Sequence, residues 1–205
     1  MSMENMHSES VSPRPRGRKF ERRREDILLA ATDIMNSSGV KGTTLLEVAR
    51  AMDMNNNSIT YYFRRKEQLA AAVFERSMER LHDMVREAAA EPDPRARVYR
   101  FIAMHVKLRA AGIRGEAQPL ATLSDMRTLE DSIRLPLERK YQDIFRDVRG
   151  FFGAEMPRDV AIARAHILLE TVFWLPVWIS HYPLDQFGRA ATRLFDLLEK
   201  GLALP

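Results

Sequence analysis

The sequence predicts an all-α fold of about nine helices arranged in two domains. Apolar residues recur at helical spacing along most of the 205 residues, and no stretch shows the alternation typical of a half-buried strand. Glycine and proline residues interrupt this pattern at intervals that match the ends of helices. The sequence contains no internal repeat, so a repeat architecture is not expected.

The composition indicates a globular protein with a substantial core. Hydrophobic residues make up 45% of the chain, which is long enough for one large or two small domains. The absence of cysteine excludes disulfides, thiolate metal sites and cysteine nucleophiles. No apolar run approaches the length of a membrane span, and the N-terminus lacks the apolar core of a secretory signal. We therefore expect a cytoplasmic protein with no membrane partner.

The excess positive charge lies entirely in the N-terminal third. Residues 1–66 hold 12 Lys and Arg against 8 Asp and Glu, whereas residues 67–205 hold 20 of each. Nucleic acid is the natural partner of such an asymmetry, because the release of counterions from phosphates drives binding. The net charge of +4 is modest, so it supports a nucleic-acid-binding motif without replacing one.

The first 19 residues are predicted to form a disordered basic arm. Residues 13–24 contain seven cations and one anion. Pro and Gly favour an extended first half, so Arg14, Arg16 and Arg18 are candidates to enter a DNA minor groove. A solvated tail that raises nonspecific affinity is the alternative.

The first helix is expected from about Phe20 to Ser38, with Gly39 ending it. Its apolar residues fall on one stripe, which predicts packing behind the elements that follow. The stripe consists of Ile27, Leu28, Ala31, Ile34 and Met35.

Residues 43–66, TTLLEVARAMDMNNNSITYYFRRK, predict two short helices joined by a tight turn and followed by a third helix. Thr44 is a suitable N-cap, and the apolar residues after it recur at i, i+3, i+4 and i+7. Asp53 marks the turn. In the second helix, Ile59 and Phe63 are four residues apart and predict a narrow buried face.

The opposite face of this second helix is polar and uncharged, and it displays Asn56, Asn57 and Thr60. Asparagine is a poor helix former, so propensity does not explain the run of three. Asn can pair with an adenine edge in the major groove, and Thr can contact a base or a thymine methyl. For Asn55 we favour a helix cap, and solvated surface is the alternative for the other two asparagines.

This segment resembles the DNA-binding domain of the TetR family of transcriptional repressors, over about residues 23–73. The resemblance implies that Asn56, Asn57 and Thr60 contact bases. Asp53 stands where the family usually has glycine, and Leu46 stands where it often has a polar or basic residue. The resemblance also implies contacts to phosphates from Thr44, Ser58, Tyr61, Tyr62 and Lys66.

Long helices are predicted for the remainder of the chain. The first of them follows Lys66, ends near Ala90, and is long enough to join two domains. Further helices are expected over about residues 94–110, 120–126, 129–152, 158–180 and 184–202.

The C-terminal half has the composition of an apolar ligand pocket. Large flexible and aromatic side chains with a few polar atoms are typical of such a lining, although each residue taken singly also fits ordinary core. His105 and His166 are not accompanied by further ligands at metal-binding spacing, so no metal or other cofactor is expected. The candidate lining residues are Phe101, Met104, His105, Met126, Tyr141, Phe145, His166, Phe173, Trp174 and Trp178.

The last two predicted helices contain more apolar residues than one buried face requires, which indicates a second buried face in a homodimer. A helix-turn-helix reader also needs two heads about one DNA turn apart to bind a palindrome. The resemblance implies dimerisation through these two helices as a four-helix bundle. The candidate interface residues are Phe187, Ala191, Leu194 and Leu198.

The sequence therefore predicts a basic arm (1–19), a DNA-binding domain (20–66) and a helical domain for effector binding and dimerisation (67–205). The expected function is a homodimeric repressor that binds a palindromic DNA operator and is released by a small, mostly apolar or aromatic effector. An activator, or a regulator without an effector, is the alternative. An enzyme is not expected, because no catalytic triad motif, phosphate-binding glycine loop or metal-ligand run is present.

Overall fold

A computed structural model of the chain describes residues 15–201, and this part of the chain is helical with no strand. The all-α prediction is confirmed. Three short 3-10 helices, at Leu123–Thr128, Ile179–His181 and Leu184–Gln186, supplement the α-helices. The α-helices are α1 (Pro15–Gly42), α2 (Leu45–Ala51), α3 (Asn56–Tyr62), α4 (Lys66–Ala89), α5 (Pro94–Ile113), α6 (Asp131–Gly150), α7 (Arg158–Phe173), α8 (Leu175–Trp178) and α9 (Phe187–Gly201).

Helix α1 begins at Pro15, five residues before the predicted start at Phe20. Residues 15–19, which the sequence assigned to an extended arm, are therefore helical. The assignment was wrong because proline is accepted in the first turn of a helix, where its missing N–H would have no partner in any case. The rest of the arm, including Arg14, and the side chain of Arg16 lie outside the described residues.

Gly39 interrupts α1 where the sequence placed its end. Its φ of 70° and ψ of 166° are not helical, and the chain makes one more helical turn beyond it. Only glycine adopts such a conformation without strain. The buried Thr43 stabilises this kink. Its backbone N and its Oγ1 both donate hydrogen bonds to the Gly39 carbonyl, at 3.2 and 2.9 Å.

Helices α1, α2 and α3 share a buried core with the beginning of α4. The predicted stripes of α1 and α2 face inward, except that Ile34, Leu45 and Met52 are only partly buried. This core fixes α3 against the other helices through a single fully buried side chain. Its members include Ile27, Leu28, Ala31, Met35, Val48, Ala49, Ile59, Phe63, Leu69 and Val73.

Helix α4 is the central element of the molecule. It packs against α1 at its N-terminal end and against α5 and α6 along its length. The apolar line predicted for it is buried, from Leu69 and Val73 to Leu81, Val85 and Ala88. One continuous helix thus connects the N-terminal helices α1 to α3 with the C-terminal helices.

The helix predicted over residues 158–180 is broken at Trp174, where α7 ends and α8 begins at an angle of 45°. Pro176 lies in the first turn of α8, and its missing N–H favours a new helix start over a continuous helix. No single helix between residues 15 and 201 is long and apolar enough to cross a membrane. The bent pair of α7 and the segment after it reaches that length and composition only when the two are taken together.

Candidate nucleic-acid interface

A capping box starts α2. Thr44 Oγ1 accepts a hydrogen bond from the Glu47 backbone N at 3.1 Å, and Glu47 Oε2 accepts one from the Thr44 backbone N at 2.8 Å. Thr44 Oγ1 also donates to Glu47 Oε2 at 3.0 Å. The predicted cap is confirmed. The hydroxyl proton of Thr44 is therefore already used by Glu47. A phosphate oxygen can accept only if the bond from Thr44 Oγ1 to Glu47 Oε2 opens first, so the predicted phosphate contact requires that change.

The turn between α2 and α3 depends on Asp53. Its φ of 51° makes it the one non-glycine residue with positive φ in the described part of the chain. The neighbouring Met54 N donates to the Ala49 carbonyl at 2.8 Å, which closes the turn. The aspartate adopts the left-handed conformation expected at a position where the TetR family usually has glycine. This conformation costs a non-glycine residue about 1 kcal/mol.

Helix α3 presents its polar residues outward. Asn55 Oδ1 accepts a hydrogen bond from the Ser58 backbone N at 2.7 Å, which confirms the predicted cap. Ile59 is fully buried, whereas Asn56 and Asn57 are exposed and their amides are free to meet a base edge. Thr60 is half-buried and donates its hydroxyl proton to the Asn57 carbonyl at 3.0 Å. Its methyl group and oxygen lone pairs remain for a base contact.

An aromatic cluster joins the N-terminal part of α1 to α3. The Phe20 ring stacks on Tyr62, with centroids 4.8 Å apart, and meets Tyr61 edge-on at 5.7 Å. The two tyrosines also meet edge-on, at 5.3 Å. Tyr61 is nevertheless 74% exposed, so its phenol is available to an incoming ligand. Phe20 was not among the predicted site residues, although it fixes α1 beside α3, the predicted DNA-reading helix (hereafter the reading helix).

The cluster lines an open groove between α1 and α3. Helix α1 contributes cations to the lining, and α3 with the turn before it contributes hydroxyl and amide groups. Cations and hydroxyls that line one groove are suited to the phosphates of a DNA strand. The sequence identified Arg18, Ser58, Tyr61 and Tyr62 but not the other three cations, whose only signal was the charge run. The groove is lined by Arg18, Lys19, Phe20, Arg22, Arg23, Asp26, Asp53, Met54, Asn55, Ser58, Tyr61 and Tyr62.

Two further predicted contacts have different surroundings. Lys66 is half-buried at the start of α4, and its Nζ donates to the Lys41 carbonyl at 3.3 Å. A phosphate would have to share this ammonium with the end of α1. Leu46 on α2 is 43% exposed, so an apolar contact to a thymine methyl is sterically open to it.

An exposed asparagine face beside a cationic groove, on a short helix held from behind by one buried residue, defines a helix-turn-helix DNA-binding protein. Residues 27–73 match the family model described as bacterial regulatory proteins, tetR family. Over this N-terminal domain the chain is therefore similar to the TetR family of transcriptional regulators, which are DNA-binding proteins.

Solved structures of regulatory proteins share most of the fold at low sequence identity. A regulator from Bordetella parapertussis is 19% identical, with a TM-score of 0.71 over 87% of this chain and 94% of that one. AibR, solved with isovaleryl coenzyme A and operator DNA, is 18% identical, with a TM-score of 0.69 over 85% and 97%. The fatty acid degradation regulator FadR from Bacillus halodurans is 19% identical, with a TM-score of 0.67 over 95% and 100%.

The structure divides the predicted pocket residues of the C-terminal domain into three groups. Phe101, His105 and Met126 are buried. His166 is exposed and Trp174 is 61% exposed, so neither lines an enclosed cavity within one chain. Both lie on the outer side of α7. Because α7 carries apolar residues on several sides, helical spacing could not show whether these two residues line a pocket or lie on the surface. The half-buried group consists of Met104, Tyr141, Phe145, Phe173 and Trp178.

Two nitrogens on α5 are buried without a hydrogen-bond partner. They are His105 Nε2 and Arg109 Nε, four residues apart and therefore on one helical face. The His105 ring meets the Phe101 ring edge-on at 4.6 Å. Burial lowers the pKa of His105 to about 3, so the imidazole is neutral at physiological pH. An unpaired buried polar group is costly, and a ligand that pairs it gains the corresponding free energy.

The neutral state of His105 predicts a pH dependence of stability. The unfolded chain binds a proton at this residue below pH 6.5, whereas the folded chain does not until about pH 3. Stability should therefore be full above pH 6.5 and fall as the pH is lowered, by up to about 1.4 kcal/mol per pH unit. Urea unfolding at pH 7.5 and pH 5.5 measures this loss. His105→Gln should show a smaller loss, and an equal loss would contradict the assignment.

Two of the four predicted dimer residues of α9, Phe187 and Ala191, require a correction, whereas Leu194 and Leu198 stay predictions. Phe187 and Ala191 are buried within the chain, on the face of α9 that packs against α5, so they are not free to form an interface. Leu194 and Leu198 are partly buried against the same core. An amphipathic helix buries its apolar stripe in its own domain first, which is why the stripe was misassigned. The large apolar residue that α9 exposes is Leu197, whose side chain is 69% exposed.

Proposed function

We propose that this protein is a homodimeric repressor that binds a palindromic operator and releases it when a small molecule occupies the C-terminal domain. The observation that supports this function best is the outward face of α3. Asn56 and Asn57 are exposed there beside the cationic groove, in an arrangement suited to reading base edges while the flanking groups hold phosphates. The protein would act in the cytoplasm, where it meets DNA.

The dimer would form through the outer faces of α7, α8 and α9. Val160, Ile167, Trp174 and Val177 are exposed at helical spacing along α7 and α8. Exposed large apolar residues aligned on one face of a helix are typical of a protein interface. We assign these four residues and the exposed Leu197 on α9 to one apolar stripe at the interface, which replaces the interface predicted from Phe187 and Ala191.

The effector would have an apolar body and one polar end. The half-buried aromatic residues Tyr141, Phe145 and Phe173 suit an apolar group, and Tyr141 and Phe173 meet with centroids 6.3 Å apart. The unpaired nitrogens of His105 and Arg109 suit a hydrogen-bond acceptor such as a carboxylate, ester or ketone. AibR, which has a similar fold, was solved with isovaleryl coenzyme A, a ligand whose acyl group is apolar.

Selection of bound duplexes from a random pool tests the proposed function. Wild-type protein should enrich a palindrome. Asn56→Ala and Asn57→Ala should relax the preference at particular bases by about 1–3 kcal/mol each, because the paired hydrogen bonds to a base edge are lost. The control Gln142→Ala removes an exposed amide from α6 and should select the same palindrome as wild type. Enrichment of no sequence by wild-type protein would refute the function.

An activator, or a regulator without an effector, is the competing function. Transcription from a template with the selected operator placed over a promoter separates the first alternative, because a repressor lowers the transcript and an activator raises it. Titration of fatty acids and their coenzyme A thioesters into the operator complex examines the second. Release at a saturable concentration supports an effector with an apolar body and a polar end.

A further inference from the structure

The segment 120–128 connects the C-terminal domain to the DNA-binding domain at a second place, apart from the covalent link through α4. It lies between α5 and α6 and includes the 3-10 helix Leu123–Thr128, which packs against both α1 and α6. Met126 and Leu129 anchor it in the core of the C-terminal domain. Its other contacts are directed hydrogen bonds to α1 and α4.

Asn36 on α1 binds the backbone of this segment on both sides. Its Nδ2 donates to the Leu120 carbonyl at 2.9 Å, and its Oδ1 accepts from the Thr122 backbone N at 2.9 Å. The Thr122 hydroxyl donates to the same Oδ1 at 3.2 Å. Between these two residues, the Ala121 backbone N donates to Ser77 Oγ of α4 at 3.0 Å, and this bond is buried. The segment is thus fixed within three residues to α1 of the DNA-binding domain and to α4, the helix that connects the two domains.

Asp125 binds the kink of α1. Its Oδ2 accepts a hydrogen bond from the Val40 backbone N at 3.1 Å, which leaves that amide paired although Gly39 breaks the helix before it. A Cβ on Gly39 would lie 3.3 Å from the same oxygen, so the carboxylate and the kink are closely fitted. The kink in turn bonds Thr43, next to the cap of α2.

These contacts form one path from the C-terminal domain to the reading helix. Asp125 holds Val40, the kink at Gly39 holds Thr43, and Thr44 caps α2, which is joined to α3 by the tight turn at Asp53. Each step is a hydrogen bond or a rigid turn. A displacement of the segment 120–128 would therefore move the start of α2, and α3 with it.

We propose that the segment 120–128 sets the angle of the DNA-binding domain, with Asn36 and Asp125 as positioning residues. The proposal rests on the proposed dimer, in which the angle of each domain determines the distance between the two reading helices. Met126 lies next to Asp125 and is buried among the C-terminal helices. We call the hydrogen bonds of Asn36 and Asp125 to this segment and to Val40 the clamp. An effector that displaces Met126 would disturb the clamp at Asp125, the adjacent residue.

Operator spacing provides a readout that loss of folding does not mimic. Wild-type protein should prefer the selected operator over the same half-sites moved apart by one base pair. Asp125→Ala should reduce this ratio of affinities by about three- to tenfold, the range expected for the loss of one ordinary hydrogen bond. Asp125→Asn keeps an oxygen acceptor for Val40 N and should restore most of the ratio. Asn36→Ala should act like Asp125→Ala, and the control Ser37→Ala, which loses only bonds within α1, should not.

Amide hydrogen exchange tests the clamp without DNA. In wild type, the amides of Val40 and α2 should be protected, and Asp125→Ala and Asn36→Ala should speed their exchange while leaving α7 unchanged. If exchange in α2 and the spacing ratio both equal those of wild type, the inference is wrong. If wild type ignores operator spacing while exchange in α2 responds to Asp125→Ala, the clamp is supported and the proposed dimeric reading is what fails.

Discussion

Replacing Trp174 and Leu197 together by aspartate should convert the dimer into a monomer and reduce operator affinity by about 10²- to 10⁴-fold. The two side chains are 61% and 69% exposed, so they support no core of their own. A charge on each would face an apolar surface of the second copy, which is costly without a partner. The second head of a dimer binds at a high effective concentration, and a monomer loses that advantage entirely.

Sedimentation equilibrium and operator titration measure the two halves of this expectation. Leu135→Asp is the matched control, because Leu135 is an exposed leucine on α6, outside the proposed stripe. The control should remain a dimer with unchanged affinity. If the double variant sediments as a dimer, the proposed stripe is not the interface.

Ile59→Ala should destabilise the DNA-binding domain by about 2–5 kcal/mol. Ile59 is the one fully buried residue of α3, and it holds this helix in the core that α3 shares with α2. Its truncation leaves a cavity that a seven-residue helix with an asparagine-rich first turn cannot close. Because domains typically have only about 5–15 kcal/mol of stability, operator binding should be lost at temperatures where the C-terminal domain remains folded.

Thermal unfolding followed by circular dichroism checks this second expectation. Asn57→Ala, on the exposed face of the same helix, should change stability by no more than about 0.5 kcal/mol. It should impair base preference while leaving the fold intact. An unfolding midpoint of Ile59→Ala equal to that of Asn57→Ala would mean that α3 is held by contacts other than its buried isoleucine.

Local patterns predicted the helix-turn-helix almost to the residue. Thr44 and Asn55 cap α2 and α3 as expected, because capping depends on side chains only three residues away. Gly39 also interrupts α1 where expected. The start of α1 at Pro15 was missed because the same proline fits an extended arm and a first helical turn equally well.

Long-range relations were not predictable in the same way. The apolar residues of α7 occur on all sides, so periodicity could not show that Trp174 faces outward while Leu168 and Leu169 face the core. The stripe of α9 was assigned to a second copy because no sequence signal reveals that α5 covers it. The bonds of Asn36 and Asp125 span 84 to 86 residues, and nothing in either local sequence distinguishes them from ordinary polar surface.

The reading helix separates recognition from folding within seven residues. Ile59 is the one fully buried residue of α3 and secures it in the core, whereas Asn56 and Asn57 are exposed on its opposite face. Selection can therefore exchange the outward side chains with little penalty to the scaffold. A few point mutations on this face could therefore change the DNA sequence that the protein recognises without altering its response to an effector.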